Sequence, residues 1–455
     1  IMHRKALSLL ILILVIFIAA GCGSDNLERQ FDLTPEPETS EQDYTNIEDK
    51  VYFAIDAGDY EEAKKLLASD ENISVDNSRA AKDLSGDPRI LFSVYPEHEE
   101  LSRLLIDYGA DLNGLGSKGC SYLHLSVAYS EEDYDGEIIE ITEYILKKGA
   151  DPDVNGSGDF KGTPVDYLMT KSPVFIYNFD RLYNMFVKYD AGITLNTLEN
   201  ALNSDSGFTY AKDIVKRLKE KNIETGLGDA LEAILLDKNK DEIIRLIKNG
   251  SYRHKDKKYM VWYAAANCDA EILQCLKNTH FNMKCRNSED MSLLDIAAAY
   301  NEPEVVEYLI GQGFDINDKI NLTEQNDTDR AFEQSCDLKK YTPLSFALVH
   351  GKIENAQRLI DAGAEFQRNS WINAVFSQNK EAVDILMSNS FEQEETFLAY
   401  CYIFASDEMA KYLMYKGVSC DLSYEGENII SFLRKAGMND RADLILKYKN
   451  KINGI

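Results

Sequence analysis

The feature that most constrains this chain is a pair of short apolar helices that is written twice without a gap. Residues 292–317 read SLLDIAAAYNEPEVVEYLIGQGFDIN. Leu294, Ile296, Ala297 and Ala298 crowd one face of a first helix, and Val305, Val306, Leu309 and Ile310 recur at helical spacing along a second. Asn301 stands where the first helix is expected to end in a left-handed residue. Pro303 suits the first turn of the second helix, and Gly313 its end. Residues 342–367, TPLSFALVHGKIENAQRLIDAGAEFQ, align position for position: Ser292 with Thr342, Leu294 with Leu344, Ala297 with Ala347, Asn301 with Gly351, Gly313 with Gly363. Helices this short cannot cover their own apolar faces, so each pair requires a neighbour of its own kind on either side.

Partial copies extend in both directions. Gly109-Ala110-Asp111-Leu112-Asn113 and Gly149-Ala150-Asp151-Pro152-Asp153 are two further repeat ends, and Ser121-Tyr122-Leu123-His124 and Thr163-Pro164 two further openings. Residues 229–250, 259–280, 370–391 and 396–417 keep the spacing while losing most of the letters, and Asp190 occupies a glycine position. Residues 198–226 hold one good helix, with Tyr210, Ile214, Val215 and Leu218 on a face, and a vague partner. These segments resemble the ankyrin repeat, with its T-P-L-H-x-A opening and L-L-x-x-G-A-D-x-N close, from about residue 49 to the C-terminus at a period of about 33 residues. The resemblance implies an all-α solenoid of stacked helix pairs with β-hairpin-like finger loops. It also implies a surface that binds another protein, and a structural His124 that ties neighbouring repeats. Fold alone does not choose the partner.

The N-terminus carries a different signal. His3, Arg4 and Lys5 precede an apolar run over 6–20 that only Ser8 interrupts, and Ala19-Ala20-Gly21-Cys22 follows. The run is short for a membrane span and suited to the core of a signal peptide. Small residues before a cysteine resemble the lipobox of bacterial lipoproteins, although Ala19 stands where that family usually has Leu. The resemblance implies cleavage before Cys22, a lipid on its sulfur, and a protein held outside the cytoplasmic membrane (the outer membrane if the cell has two). Residues 23–46, rich in Glu, Asp, Ser, Thr and Pro, have too little apolar surface to fold and read as a tether. The expected organisation is a leader over 1–21, a lipidated N-terminus and acidic tether over 22–46, partly degenerate repeats over 47–226, and further repeats with a closing cap over 227–455.

Charge narrows the partner. The formal net charge of −28 becomes more negative still once Arg4 and Lys5 leave with the leader. Nucleic acid and anionic lipid would be repelled as main ligands, and a cationic protein attracted. Apart from Cys22, the cysteines show no C-x-x-C spacing and no histidine companions, so neither a zinc site nor a disulfide framework is indicated.

Candidate chemistry is sparse. Residues 114–119, GLGSKG, match G-x-G-x-x-G, but a helix precedes them where a dinucleotide site needs a strand, and a finger turn fits better. Asp151, Asp153, Asn155, Ser157 and Asp159 sit at ligand positions of a calcium loop whose twelfth position is Gly162 in place of the bidentate Glu. A ligand or calcium sensor built on acidic fingers, including the insertion between Asn317 and Thr342, is therefore the alternative reading. No H-E-x-x-H, G-x-S-x-G or P-loop is present, so no catalytic residue, metal ligand set or cofactor site can be named and the chain reads as non-enzymatic. Aromatic residues near the starts of first helices, which in ankyrin arrays border the groove, are the candidate partner anchors: Tyr122, Tyr259, Trp262, Tyr263, Tyr341 and Trp371.

Overall fold

The structure is a computed structural model that describes residues 47–56, 59–69, 99–116, 118–130, 137–171, 178–321, 340–367, 370–376, 378–389, 395–424, 426–435 and 437–452. The leader with Cys22, the tether, Gly58, residues 131–136 and the 322–339 insertion lie outside the described residues. The chain divides into two compact units, one ending at Thr225 and the other running from Gly226.

In each unit short helices alternate as first and second members of a pair. In the unit up to Thr225 the first helices Tyr122–Tyr129, Pro164–Leu168 and Leu195–Leu202 pack in a row. The second helices Glu99–Asp107, Glu137–Lys147 and Phe179–Lys188 form a parallel row. The vague partner of Ser206–Glu220 is Leu195–Leu202, joined to it by a tight turn at Ser204 and Asp205. In the unit from Gly226 the first helices are Asp229–Leu235, Lys257–Asn267, Leu293–Tyr300, Pro343–Val349, Ser370–Phe376 and Glu395–Phe404, each against the next. Their partners run from Lys240–Lys248 to Asp407–Tyr415, and Ile429–Lys435 with Asn439–Ile452 closes the stack. The strands among the described residues form two antiparallel pairs, Ile320–Asn321 with Lys340–Tyr341 and Ser423–Tyr424 with Glu427–Asn428, and an isolated bridge joins Gly156 to Gly162. No helix among the described residues is long and apolar enough to cross a membrane.

Local chemistry explains the starts and stops. Ser292, Thr163 and Thr342 accept a hydrogen bond from the backbone N–H three residues on, and Asn239, Asp269, Asn379 and Ser406 cap second helices in the same way. Pro164, Pro303 and Pro343 open helices where no N–H is needed. Leu294, Ile296, Ala297, Ala298, Val306 and Leu309 are fully enclosed. Each such Leu or Ile contributes roughly 1.5–3 kcal/mol of transfer free energy, and the alanines allow first helices to approach closely. Gly109, Gly149, Gly250, Gly313, Gly363 and Gly417 end second helices with positive φ, and Asp190 does the same at φ 63.

Asn301 differs from expectation. Its backbone is extended, with φ −99 and ψ −174, where the aligned Gly351 is left-handed at φ 64. The asparagine solves the helix end through its side chain instead. Its Nδ2 donates to Ala265 O and Cys268 O, both at 2.8 Å, and so closes the end of the preceding first helix.

Candidate functional site

Three sets of polar contacts recur along the described repeats, and many of them link one repeat to the next. The first runs along the fingers. Asn113 Oδ1 accepts from Asp151 N at 2.8 Å, Asp153 Oδ1 from Gly192 N at 2.6 Å, and Asn317 Oδ1 from Glu365 N at 2.8 Å. In each case the last letter of the G-A-D-x-N close grips the third position of the next close. Asp111, Asp151 and Asp315 meanwhile accept from the N–H two residues on, all at 2.9 Å, which shapes the turn. Asp and Asn at these offsets are thus explained by finger geometry. Asp151 and Asp153 are committed to backbone donors, Asn155 Nδ2 donates to Asp153 O, Gly156 pairs with Gly162 across the finger, and Asp159 lies exposed in a short 3-10 turn. Ser157 N donates to Gly119 O, which ties this finger to the 114–119 turn. No three His, Cys, Asp or Glu side chains gather as metal ligands among the described residues.

The second ladder lies beneath the fingers, at the fourth residue of each opening. His124 is buried. Ser121 Oγ lies 2.8 Å from its Nδ1, and Nε2 is 3.0 Å from Gly162 O of the next repeat. A carbonyl cannot donate, so Nε2 carries the hydrogen. Burial pushes this imidazole below the usual histidine range, against the opposing pull of Gly162 O and of Asp166. Asp166 Oδ2 accepts from Thr163 N at 3.2 Å and Asn196 Nδ2 at 2.8 Å; its Oδ1 accepts from Thr197 Oγ1 at 2.6 Å. Asp295 Oδ2 accepts from the N–H and the Oγ of Ser292, at 2.8 and 2.7 Å, while Oδ1 has no hydrogen-bond partner. Burial pushes this carboxyl up to about 7.

The third ladder joins second helices. Tyr144 and Lys148 both reach Asp107, Lys188 reaches Glu143, Tyr308 reaches Gln274, Arg358 reaches Glu307, and Tyr412 and Lys416 reach Asp384. The pairs are exposed, worth roughly 0–1 kcal/mol each. They do commit much of this face's charge to neighbouring repeats.

The aromatic candidates are distributed unevenly. Tyr122, Trp262 and Tyr263 are buried on their helices and Tyr341 on its finger strand against Phe346, so that their large areas pack within the stack. Tyr259 is half-buried. Its ring stands edge-on to Trp262 at 5.6 Å with Lys258 Nζ 4.6 Å over it. Trp371 lies on Ser370–Phe376, and its side chain is outside the described residues. Sequence reasoning passed over the apolar side chains that are exposed: Leu115 at a finger tip, Leu195 at the first position of its helix, and Tyr415 at the end of another. Leu195 was legible in principle, since it follows a Thr cap at the position where other openings carry Pro, Tyr or Leu. Cys268, Cys275, Cys285, Cys401 and Cys420 are free thiols, and burial pushes Cys268 and Cys401 up to about 12.

Residues 212–320 match the family model for ankyrin repeats (3 copies). Among solved structures, the crystal structure of the human ASB11 ankyrin repeat domain matches at 16% identity, covering 58% of this chain and 96% of that chain with a TM-score of 0.28. No curated protein matches. The chain carries ankyrin repeats in an all-α fold of stacked helix pairs, an architecture that points to protein partners.

Proposed function

We propose that this protein is a lipid-anchored, non-enzymatic scaffold that presents its repeats to a cationic protein partner outside a bacterial cytoplasmic membrane. The observation that carries the binding role is the match of 212–320 to ankyrin repeats, together with second-helix charges that are engaged between repeats. A stack whose repeats are already tied by backbone and side-chain ladders loses little freedom on binding, which favours affinity from a fixed surface. The net charge of −28 favours a basic partner and disfavours nucleic acid.

The anchor rests on His3-Arg4-Lys5, the apolar run and Ala19-Ala20-Gly21-Cys22. Cys22 becomes the first residue of the mature chain and carries acyl groups. Two or three chains hold far more firmly than one, since each buried CH₂ contributes about 0.8 kcal/mol. Mass spectrometry of the N-terminus of the native protein tests the anchor: a lipidated peptide beginning at Cys22 is expected, and an intact leader or an unmodified start elsewhere overturns it. A pull-down from native membranes at low and at high salt tests the partner. Capture of a basic protein that weakens as the Debye length falls below about 8 Å is expected, and preferential capture of DNA or RNA overturns the charge argument.

A further inference from the structure

The fourth position of the opening motif is polar in five described repeats, at His124, Asp166, Thr197, Asp295 and Ser345, and of these Asp295 is not satisfied. His124 bonds at both nitrogens, Asp166 accepts on both oxygens, and Ser345 Oγ pairs with Thr342 Oγ1 at 3.2 Å. Asp295 is fully enclosed, yet its only partners are the two donors of Ser292, both on Oδ2. Its Oδ1 is buried with no partner. An ionised carboxylate enclosed with one oxygen unpaired is costly, and the inexpensive remedy is to hold a proton there.

The surroundings offer no other remedy. From the fingers, Asp318 and Arg286 act on Asp295, and they are already engaged with each other. Arg286 also donates to Asp290 O and lies 3.7 Å from the Asp290 carboxylate. Of the helices packed against Leu293–Tyr300, Lys257–Asn267 carries Lys257, Lys258, Tyr259 and Tyr263, and Pro303–Gly311 carries Glu304, Glu307 and Tyr308. Pro343–Val349 carries no charged group, and His350 follows it. The nearby acid, Asp318, works against ionisation.

We propose that Asp295, enclosed with Oδ1 unpaired, is a proton-binding lock: the protonated carboxyl keeps the fingers on either side of it, 286–291 and 318–321, closed, and losing the proton loosens them. Protonated, the carboxyl is a neutral group in an apolar setting. Ionised, it places an unpaired negative charge beside Asp318 and beneath the Arg286–Asp318 pair. Opening the fingers lets water reach Oδ1 and relieves that charge. The repeat therefore closes more firmly in mildly acidic surroundings than in alkaline ones.

Hydrogen exchange of the full-length protein at pH 6 and pH 8, corrected for the intrinsic pH dependence of exchange, tests this. Peptides covering 286–292 and 318–321 are expected to lose up to about tenfold in protection at pH 8 in the wild type and to be nearly unchanged in Asp295→Asn, which cannot ionise. Asp295→Ser, copying Ser345, serves as a second non-ionising variant should the amide fold poorly. Equal protection of the wild type at both pH values, or the same pH dependence in a folded Asn or Ser variant, overturns the proposal. So does a variant that is looser than the wild type at pH 8, because the carboxylate would then be what holds the fingers.

Discussion

The unit that ends at Thr225 and the unit that begins at Gly226 solve one structural problem with opposite acid–base chemistry. Both bury a polar side chain at the fourth residue of the opening motif. In the first unit His124 and Asp166 reach out of their own repeat, to Gly162 O and to Asn196 and Thr197. In the second, Asp295 turns inward to Ser292 and leaves Oδ1 unpartnered. The helices hardly register the difference, because capping and apolar burial fix them independently. Response to protons registers it fully. Burial lowers the His124 pKa, so its contribution is present above the unfolded value near 6.5 and is lost as pH falls. Burial raises Asp295 to about 7, so its contribution is present below the unfolded value near 3.8 and is lost as pH rises toward 7.

The largest expected effect separates the two aspartates. At pH 8, Asp295→Asn is expected to stabilise the unit from Gly226, by roughly 1–3 kcal/mol, since a neutral amide removes an enclosed charge while its unpaired NH₂ takes back part of the gain. Asp166→Asn is expected to destabilise the other unit by about 2–3 kcal/mol, because its NH₂ would face donors. Urea unfolding of both variants at pH 8 decides this; changes of the same sign would dissolve the contrast.

The wild-type pH profile sharpens it. From pH 8 to 6.5 the unit from Gly226 gains stability and the other is unchanged by these groups. Below 6.5 the first unit loses stability, because the unfolded chain takes up a proton at His124 that the buried imidazole resists. The second then levels off, because His350, whose Nε2 is enclosed without a partner and whose pKa burial lowers to about 4, begins to oppose Asp295. Peptide-resolved hydrogen exchange across this range gives each unit its own curve, and a shared slope between pH 8 and 6.5 contradicts the assignment.

A smaller effect concerns how helix ends are closed. Asn355 Nδ2, enclosed, donates to Asn301 O at 2.9 Å and Ala298 O at 3.1 Å. Asn355→Ala strands these carbonyls and is expected to cost about 1–3 kcal/mol. In the other unit Met169 O receives two hydroxyls, Ser204 Oγ at 2.6 Å and Ser206 Oγ at 3.0 Å. Ser204→Ala is therefore expected to cost under about 1 kcal/mol, with Ser206 remaining. Thermal melting that ranks Ser204→Ala above Asn355→Ala would show that the paired serines are not redundant.

Periodicity made the repeat legible, because an apolar stripe, a capping residue and a closing glycine are each local and recur at fixed offsets. Leu294, Ala297, Val306 and Gly313 are where that logic puts them. Asn301 departs from that logic because its own side chain reaches carbonyls of the preceding repeat, a contact that no local pattern encodes. Trp262 and Tyr341 were legible as large aromatics at helix starts, but whether such a ring faces solvent or the next repeat depends on its neighbours across the stack. The calcium-like spacing around Asp151 arose from finger turns and the grip of Asp153 on Gly192 N. The unpaired oxygen of Asp295 had no sequence signal, since Asp166 occupies the same position fully bonded.

The smallest expected effect lies where the two units end their second helices. Gly313 and Gly363 have φ 83 and 95, and a Cβ added at either meets nothing within 4 Å. A side chain there costs only backbone conformation, about 1–2 kcal/mol for a left-handed L-residue. Gly313→Val and Gly363→Val should fall in that range, and Gly313→Asn well below it, because asparagine tolerates this region. Asp190 holds the same conformation in the other unit without being glycine. Asp190→Gly relieves that strain but gives the unfolded chain more freedom, an opposing term of about 0.4–1 kcal/mol. The net change is expected to be a stabilisation of a few tenths of a kcal/mol, read as a small rise in melting temperature. A loss of stability at Asp190→Gly as large as that of Gly313→Val would show that the aspartate side chain, and not its backbone, is what that helix end requires.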